Sequence, residues 1–309
     1  MNLEKEINEI VGFKNLELLA TQVVEGFISG LHKSPFHGFS AEFAEHKIYN
    51  SGESTKHIDW KLFAKTDKLY TKRYEEETNL RCHLILDNSS SMHYPVLQDM
   101  HIDNLNKIGF ASLASAAIMN LMKRQRDSVG MSIYSDRYEF YSNEKASERH
   151  HQMLLQQLNK ALESKSSGVQ TNTYEHLHLI AEKLKRRSLV FLFTDMFQSD
   201  KQQHELFEAL QHLKYNKHEV VLFHTYDKEK ELRFDYNSRP KKVMDTETAA
   251  HINLYPDNVK QNYETAVQSY FDTLYLKCGH YRIKYVPVDV NDSFNTILTT
   301  YLVERARFG

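Results

Sequence analysis

Five oxygen-bearing side chains in three short stretches have the types and spacing that could hold a small hard cation. Asp87, Ser89 and Ser91 form a D-x-S-x-S run within Asp87-Asn88-Ser89-Ser90-Ser91-Met92. Thr171 lies in Gly168-Val169-Gln170-Thr171-Asn172, and Asp195 follows the apolar run LVFLFT. Magnesium prefers octahedral oxygen coordination and readily keeps some of its waters. The hydroxyls of Ser89, Ser91 and Thr171 can bind it directly. The carboxylates Asp87 and Asp195 can bind it or hold its waters from outside. An ion with few direct anionic ligands stays electrophilic and would gain from a carboxylate offered by a partner. That chemistry suits gripping better than hydrolysis. Taken singly, each stretch has an ordinary reading: Asp and Ser after a strand form turns, and Thr171 or Asp195 could cap a helix. All three in this order, each at a strand end or helix start, favour a cation site of Mg²⁺ or Mn²⁺.

The elements that must position these residues are legible from periodicity. Strand candidates are CHLIL (82–86), VGMSIYS (129–135), LVFLFT (189–194), EVVLFHT (219–225) and YRIKYVPV (281–288). Helix candidates run from about Asn104 to Arg124, from near Thr173 (Leu177, Ile180, Ala181, Leu184 on one face) and from near Asp200 (Leu206, Leu210, Leu213). A last helix starts behind Ser293 as N-cap, with Phe294, Ile297, Leu298, Tyr301 and Leu302 following. Continuous apolar strands alternating with helices predict an α/β fold, a doubly wound, mostly parallel sheet of Rossmann type covered on both faces. Ligands in such folds sit at the carboxyl ends of the strands, where Asp87 and Asp195 fall. The small residues Ala111, Ser112, Ala114, Ser115, Ala116 and Ala117 suggest a helix packed close against the sheet.

Residues 1–80 have a different texture and are expected to form an N-terminal helix and a small β-rich collar, ahead of a main domain over 81–309. Leu16, Leu19, Val23 and Phe27 follow helical spacing, and Gly30, Pro35 and Gly38 break the helix. Trp60, the only tryptophan, is expected to anchor the collar on the sheet. His57 and Asp59 invite a catalytic reading, but no nucleophile motif such as G-x-S-x-G accompanies them, so a structural role is expected.

Composition excludes several classes. Lys plus Arg is 39 against 41 Asp plus Glu, so no basic surplus points to nucleic acid. The two cysteines, Cys82 and Cys278, occur without CxxC or HExxH, which argues against zinc or a disulfide scaffold. The first residues lack a signal-peptide core, and the best apolar run, Leu113 to Met122, is half the ~20 residues a membrane span needs. A soluble cytoplasmic protein is expected. The 17 histidines are scattered; His150, His151, His176 and His178 lack metal-ligand spacing and are expected at the solvated surface, the last two on different helix faces. Glu75, Glu76 and Glu77 are expected on an exposed strand or turn.

The order D-x-S-x-S, Thr, Asp resembles the metal-ion-dependent adhesion site of von Willebrand factor A domains. The stretch from Gly30 to Met92 is similar to the bacterial family called domain of unknown function 58. Its signature falls here on Phe43, Glu45, Lys47, Tyr49, Gly52, Glu53, Lys56, Ile58, Asp59, Trp60, Ala64, Lys65, Lys72 and Tyr74. Family arginines are lysines at 47, 56 and 65, which keeps the charge and loses the bidentate fork; the family aspartate is Glu53. The resemblance implies a von Willebrand factor A-like fold. It also implies a partnership with a MoxR-type AAA+ ATPase, in chaperone-like activation or assembly of a client protein. The expected function is therefore a non-enzymatic, metal-dependent protein-binding adaptor. The alternative is a metal-assisted phosphohydrolase with Asp87 as nucleophile, but that chemistry needs a second aspartate where Ser89 stands, and no phosphate-binding G-x-x-x-x-G-K-[ST] loop is present.

Overall fold

The computed structural model describes residues 15–28, 41–50, 55, 58–76, 80–164, 173–196, 203–236, 241–244, 251–254 and 256–308. The predicted residues Thr171, Gly30, Pro35, Gly38, Gly52, Glu53, Lys56, His57 and Glu77 lie outside the described residues.

In chain order the main elements are α1 (Leu16–Ile28), β1 (Ala41–Ile48), α2 (Trp60–Thr66), β2 (Tyr70–Glu76), β3 (Arg81–Asp87), α3 (Lys107–Arg124), β4 (Ser128–Tyr134), β5 (Tyr138–Lys145), α4 (Glu148–Glu163) and α5 (Thr173–Lys183). They continue with β6 (Leu189–Thr194), α6 (Gln203–Tyr215), β7 (Glu219–Tyr226), β8 (Lys241–Met244), β9 (His251–Leu254), α7 (Pro256–His280), β10 (Lys284–Asp289) and α8 (Phe294–Phe308). Six strands make one sheet in the order β10-β7-β6-β3-β4-β5. All neighbours are parallel except β5, which runs antiparallel to β4 at the edge. This is the expected α/β, mostly parallel, von Willebrand factor A-like arrangement.

Strand alternation divides the core into two layers. Leu84, Leu86, Phe191, Phe193 and Phe223 face α1, α3, α4 and α8. Ile85, Val190, Leu192 and Leu222 face α5, α6 and α7. Both faces are thus covered, which is why these strands read as unbroken apolar runs. α3 packs close, as its small residues suggested: Ala111, Ala114 and Ala117 are fully buried. Its start at Lys107 is set by Asn106, whose side chain accepts from the Gly109 N–H at 2.9 Å.

β1 and β2 form a separate antiparallel pair, with an irregular register between Phe43 and Glu45. Asp59 of the I-D-W block caps α2: its Oδ1 accepts from the N–H groups of Lys61 and Leu62 at 3.0 and 3.1 Å. Its Oδ2 pairs with His46 Nε2 at 3.0 Å. The structural reading of Asp59 therefore has a definite content. Asp59→Ala should lower stability by about 1 kcal/mol, the usual cost of losing a cap, measured as a shift in the urea midpoint; an unchanged midpoint would remove the cap from the account. Trp60 corrects the expectation that it anchors the collar on the sheet. It is 63% exposed and meets Phe63 edge-on, because it occupies the first position of a short helix none of whose residues is buried.

His150 and His151 also correct the surface reading, since both are buried. His150 Nε2 donates to the Val129 carbonyl at 2.9 Å, which satisfies the ring beneath α4. His176 is buried too, and packs against Tyr134, while His178 faces His212 of α6. Cys82 and Cys278 are free and buried, and burial pushes both thiols up.

Candidate functional site

The strand order places a topological switch between β3 and β6. From β3 the chain crosses to β4 on one side, and later returns to β6 on the other side of β3. The two departing connections open a crevice at the carboxyl ends of these strands, where ligands of doubly wound sheets bind. Asp87 is the last residue of β3, and Asp195 directly follows β6. The predicted aspartates therefore face the same crevice.

The loop after β3 is held in several ways. The Ser89 N–H donates to Asp87 Oδ1 at 2.9 Å. Ser89 Oγ and Ser91 Oγ lie 3.1 Å apart. The Asn88 N–H donates to the Tyr134 carbonyl at 2.7 Å, and its side-chain amide donates to Glu139 and Ser164 at 3.0 Å each. A short 3₁₀ turn, Ser90–His93, leads the chain toward α3, and the Asn106 amide donates to the His93 carbonyl at 3.2 Å. Asp87, Ser89 and Asp195 are buried, and Ser91 is half-buried.

Asp87 Oδ2 accepts from Thr194 Oγ1 at 2.7 Å. Burial pushes the Asp87 carboxyl up to about 6, and the neighbouring Asp195 charge adds to the rise, against the hydrogen bonds from Thr194 and Ser89. Asp195 has a cationic partner: Lys107 Nζ donates to its Oδ2 at 3.1 Å and also bonds Glu231 Oε1. The Lys107 side chain has no solvent exposure. Burial acts to lower its ammonium pKa, but Asp195 and Glu231 outweigh this and hold it above the usual lysine value. Glu231 lies in a π-helical turn, Lys228–Leu232, which Asp227 caps; its other oxygen accepts from the Asp227 N–H at 2.7 Å. The backbone carbonyl of Asp195 accepts from His224 Nε2 at 2.8 Å, and burial lowers that imidazole to about 4, so it is neutral.

The structure thus brings together Asp87, Ser89, Ser91 and Asp195 of the predicted set. Among the described residues no group of three or more His, Cys, Asp and Glu converges as a metal site; the donors here are mainly hydroxyls. The residues suit a hard divalent cation on two counts. Two carboxylates are buried as neighbours with an excess of negative charge, and two serine hydroxyls stand beside them. In addition, the Tyr134 hydroxyl is buried beside Thr173 and Thr194.

Thr194, Tyr134, Lys107 and Glu231 were missed by the sequence reading. Lys107 left one signal: a cation at the first position of a helix opposes the helix dipole, so such a lysine needs another reason to be there.

A second cluster has the bond pattern of a hydrolase triad. His83 Nδ1 bonds Glu144 Oε1 at 2.9 Å, and His83 Nε2 bonds Ser132 Oγ at 2.7 Å. His83 and Ser132 have no exposure, so no substrate carbonyl can reach the serine. This cluster ties β3, β4 and β5 together.

Fold and crevice define a von Willebrand factor A-like protein with acidic and hydroxyl groups at its switch point. The family model described as protein of unknown function DUF58 matches residues 45–270, and the chain belongs to that family. Uncharacterized proteins of Mycobacterium bovis and Mycobacterium tuberculosis are each 26% identical over 81 residues, which is 26% of this chain and 26% of theirs. The match thus spans about a quarter of the length of these curated relatives. Among solved structures, BatB from Bacteroides thetaiotaomicron aligns with a TM-score of 0.42 at 15% identity, covering 74% of this chain and 99% of that one. An aerotolerance-related membrane protein from Bacteroides fragilis aligns with a TM-score of 0.43 at 13% identity, covering 74% and 98%. No helix among the described residues is long and apolar enough to cross a membrane.

Proposed function

We propose that this protein is a non-enzymatic adaptor that grips a partner protein through a divalent cation, Mg²⁺ or Mn²⁺, held at the β3/β6 crevice. Asp87, Ser89, Ser91 and Asp195 would hold the ion, with Thr171 completing the set. The observation that carries this reading is the pairing of two buried, like-charged carboxylates with a serine pair at the switch point of the sheet. A divalent ion supplies the charge that relieves their repulsion, and it offers a coordination position to an acidic side chain of the partner. The partner class comes from the family resemblance: a MoxR-type AAA+ ATPase acting on a client protein in the cytoplasm.

The test is retention of a MoxR-type ATPase from the same genome on the immobilised protein. Binding should require Mg²⁺, disappear on chelation, and fail with Asp87→Ala and with Ser89→Ala while both variants remain folded. Retention that survives chelation and both substitutions would overturn the reading.

A further inference from the structure

Lys107 stands out because a wholly buried ammonium sits inside a crevice otherwise suited to a cation. It touches Asp195 at 3.1 Å and Glu231, so one of the two crevice carboxylates is already answered by an internal positive charge. Among the described residues Asp87 has no such cation; its oxygens are met by the Ser89 N–H and the Thr194 hydroxyl. The crevice is therefore asymmetric: Asp87 and the serines stand on one side, and a carboxylate held by an ammonium stands on the other. Glu231 is fixed from behind by the Asp227 N–H, and the Tyr263 hydroxyl donates to its backbone carbonyl at 2.9 Å. These bonds keep the ammonium between its two carboxylates.

We propose that Lys107 is a positioning residue of the cation site, whose ammonium competes for Asp195 and so weakens capture of a free divalent ion. The inference rests on the proposed cation site. An ion bound there has only part of the anionic field of Asp195, because Lys107 draws on the same carboxylate. The shortfall is what a carboxylate from the partner makes good. Metal and partner then bind cooperatively, since each supplies charge that the other lacks. Lys107 thus makes the site a receptor for an acidic side chain on the partner and a poor store of metal alone.

The experiment uses Mn²⁺ itself as the probe, with free Mn²⁺ followed by electron paramagnetic resonance. Wild type is compared with the double variant Lys107→Met/Glu231→Gln and with Asp87→Asn. The double variant removes one positive and one negative charge, so the net charge of the cluster is unchanged and only the hold on Asp195 is released. It also avoids leaving Glu231 as a buried, unpaired charge, and its folding is checked by circular dichroism and a cooperative melt. The double variant should bind Mn²⁺ about tenfold more tightly than wild type, a difference of about 1.4 kcal/mol; Asp87→Asn should bind it far more weakly. Equal or weaker binding by the folded double variant, with Asp87→Asn still defective, would overturn the role of Lys107 and leave the cation site standing. Equal binding by all three proteins, or none by any, would overturn the cation site and the role of Lys107 with it. If the double variant does not fold, Lys107→Arg is used: its longer, planar head keeps the charge and shifts its geometry. An unchanged Mn²⁺ affinity in that variant would count against the proposal, and a changed one supports it.

Discussion

Lys107→Met should lower the unfolding free energy by about 3–5 kcal/mol at neutral pH, the usual cost of removing one partner of a buried ion pair. The side chain has no exposure, and it leaves behind Asp195 at 3% and Glu231 at 18% side-chain exposure. Asp195 has almost no access to water and Glu231 only a little. Asp195 is held through its carbonyl by His224, and Glu231 through the turn that Asp227 caps. Methionine fills similar volume, so the loss reports charge and not a cavity. Urea denaturation of the purified protein measures it. Adding Glu231→Gln should recover much of the loss, because the two sites share one network and their effects are non-additive. A loss below about 1 kcal/mol in the single variant would mean that the ammonium does not balance these carboxylates.

His83→Leu should be comparably damaging, by about 3 kcal/mol. Its imidazole is the partner of Glu144, whose side chain is 1% exposed, and of Ser132. Burial acts to raise the Glu144 carboxyl, but the hydrogen bond and charge of His83 outweigh it and hold the group below its ordinary value of 4.5. A carboxyl depressed on folding contributes stability above its unfolded value and loses it as pH falls through its folded value. The deficit of His83→Leu should therefore be largest near neutrality and shrink as pH falls toward and below 4.5, because without His83 burial raises the Glu144 carboxyl and the variant takes up its proton above that ordinary value, while the wild type holds the group ionised to lower pH. Urea midpoints of both proteins from pH 7 to pH 4 test this; a deficit independent of pH would assign the loss to packing alone. The site has little room to adjust, since a Cβ on Gly130 would lie 2.7 Å from the Ser142 carbonyl oxygen and 2.8 Å from His83 Nδ1.

The central strands were legible because they are buried on both faces: VGMSIYS, LVFLFT and EVVLFHT read as apolar runs and form β4, β6 and β7 within a residue or two. β10 starts at Lys284 and not at Tyr281, because Tyr281 and Arg282 still turn away from α7. β5 was not legible: as an edge strand it is half-exposed and carries polar residues throughout. α7 escaped for a related reason. Of its 25 residues the described ones bury a single narrow stripe, Val267, Phe271, Leu274 and Cys278, too sparse to stand out among polar neighbours. Of the candidate site, the meeting of Asp87, Ser89, Ser91 and Asp195 at one crevice was legible because each sits at or just beyond the end of a strand. Lys107 showed only as a cation at a helix start, and Glu231 not at all, because their meeting joins residues 124 positions apart and nothing local marks the two as partners.

The central claim is that a divalent cation belongs at the β3/β6 crevice, and the most direct test is a thermal melt with increasing Mg²⁺ or Mn²⁺. A ligand that binds only the folded state stabilises it by about 2.7 kcal/mol at a hundred times its dissociation constant. The account predicts a melting temperature that rises with either ion for wild type and stays fixed for Asp87→Asn, a variant that removes the like charge beside Asp195 and keeps the shape of the side chain. A wild-type melting temperature indifferent to both ions through the millimolar range, or one that rises equally in Asp87→Asn, would contradict it.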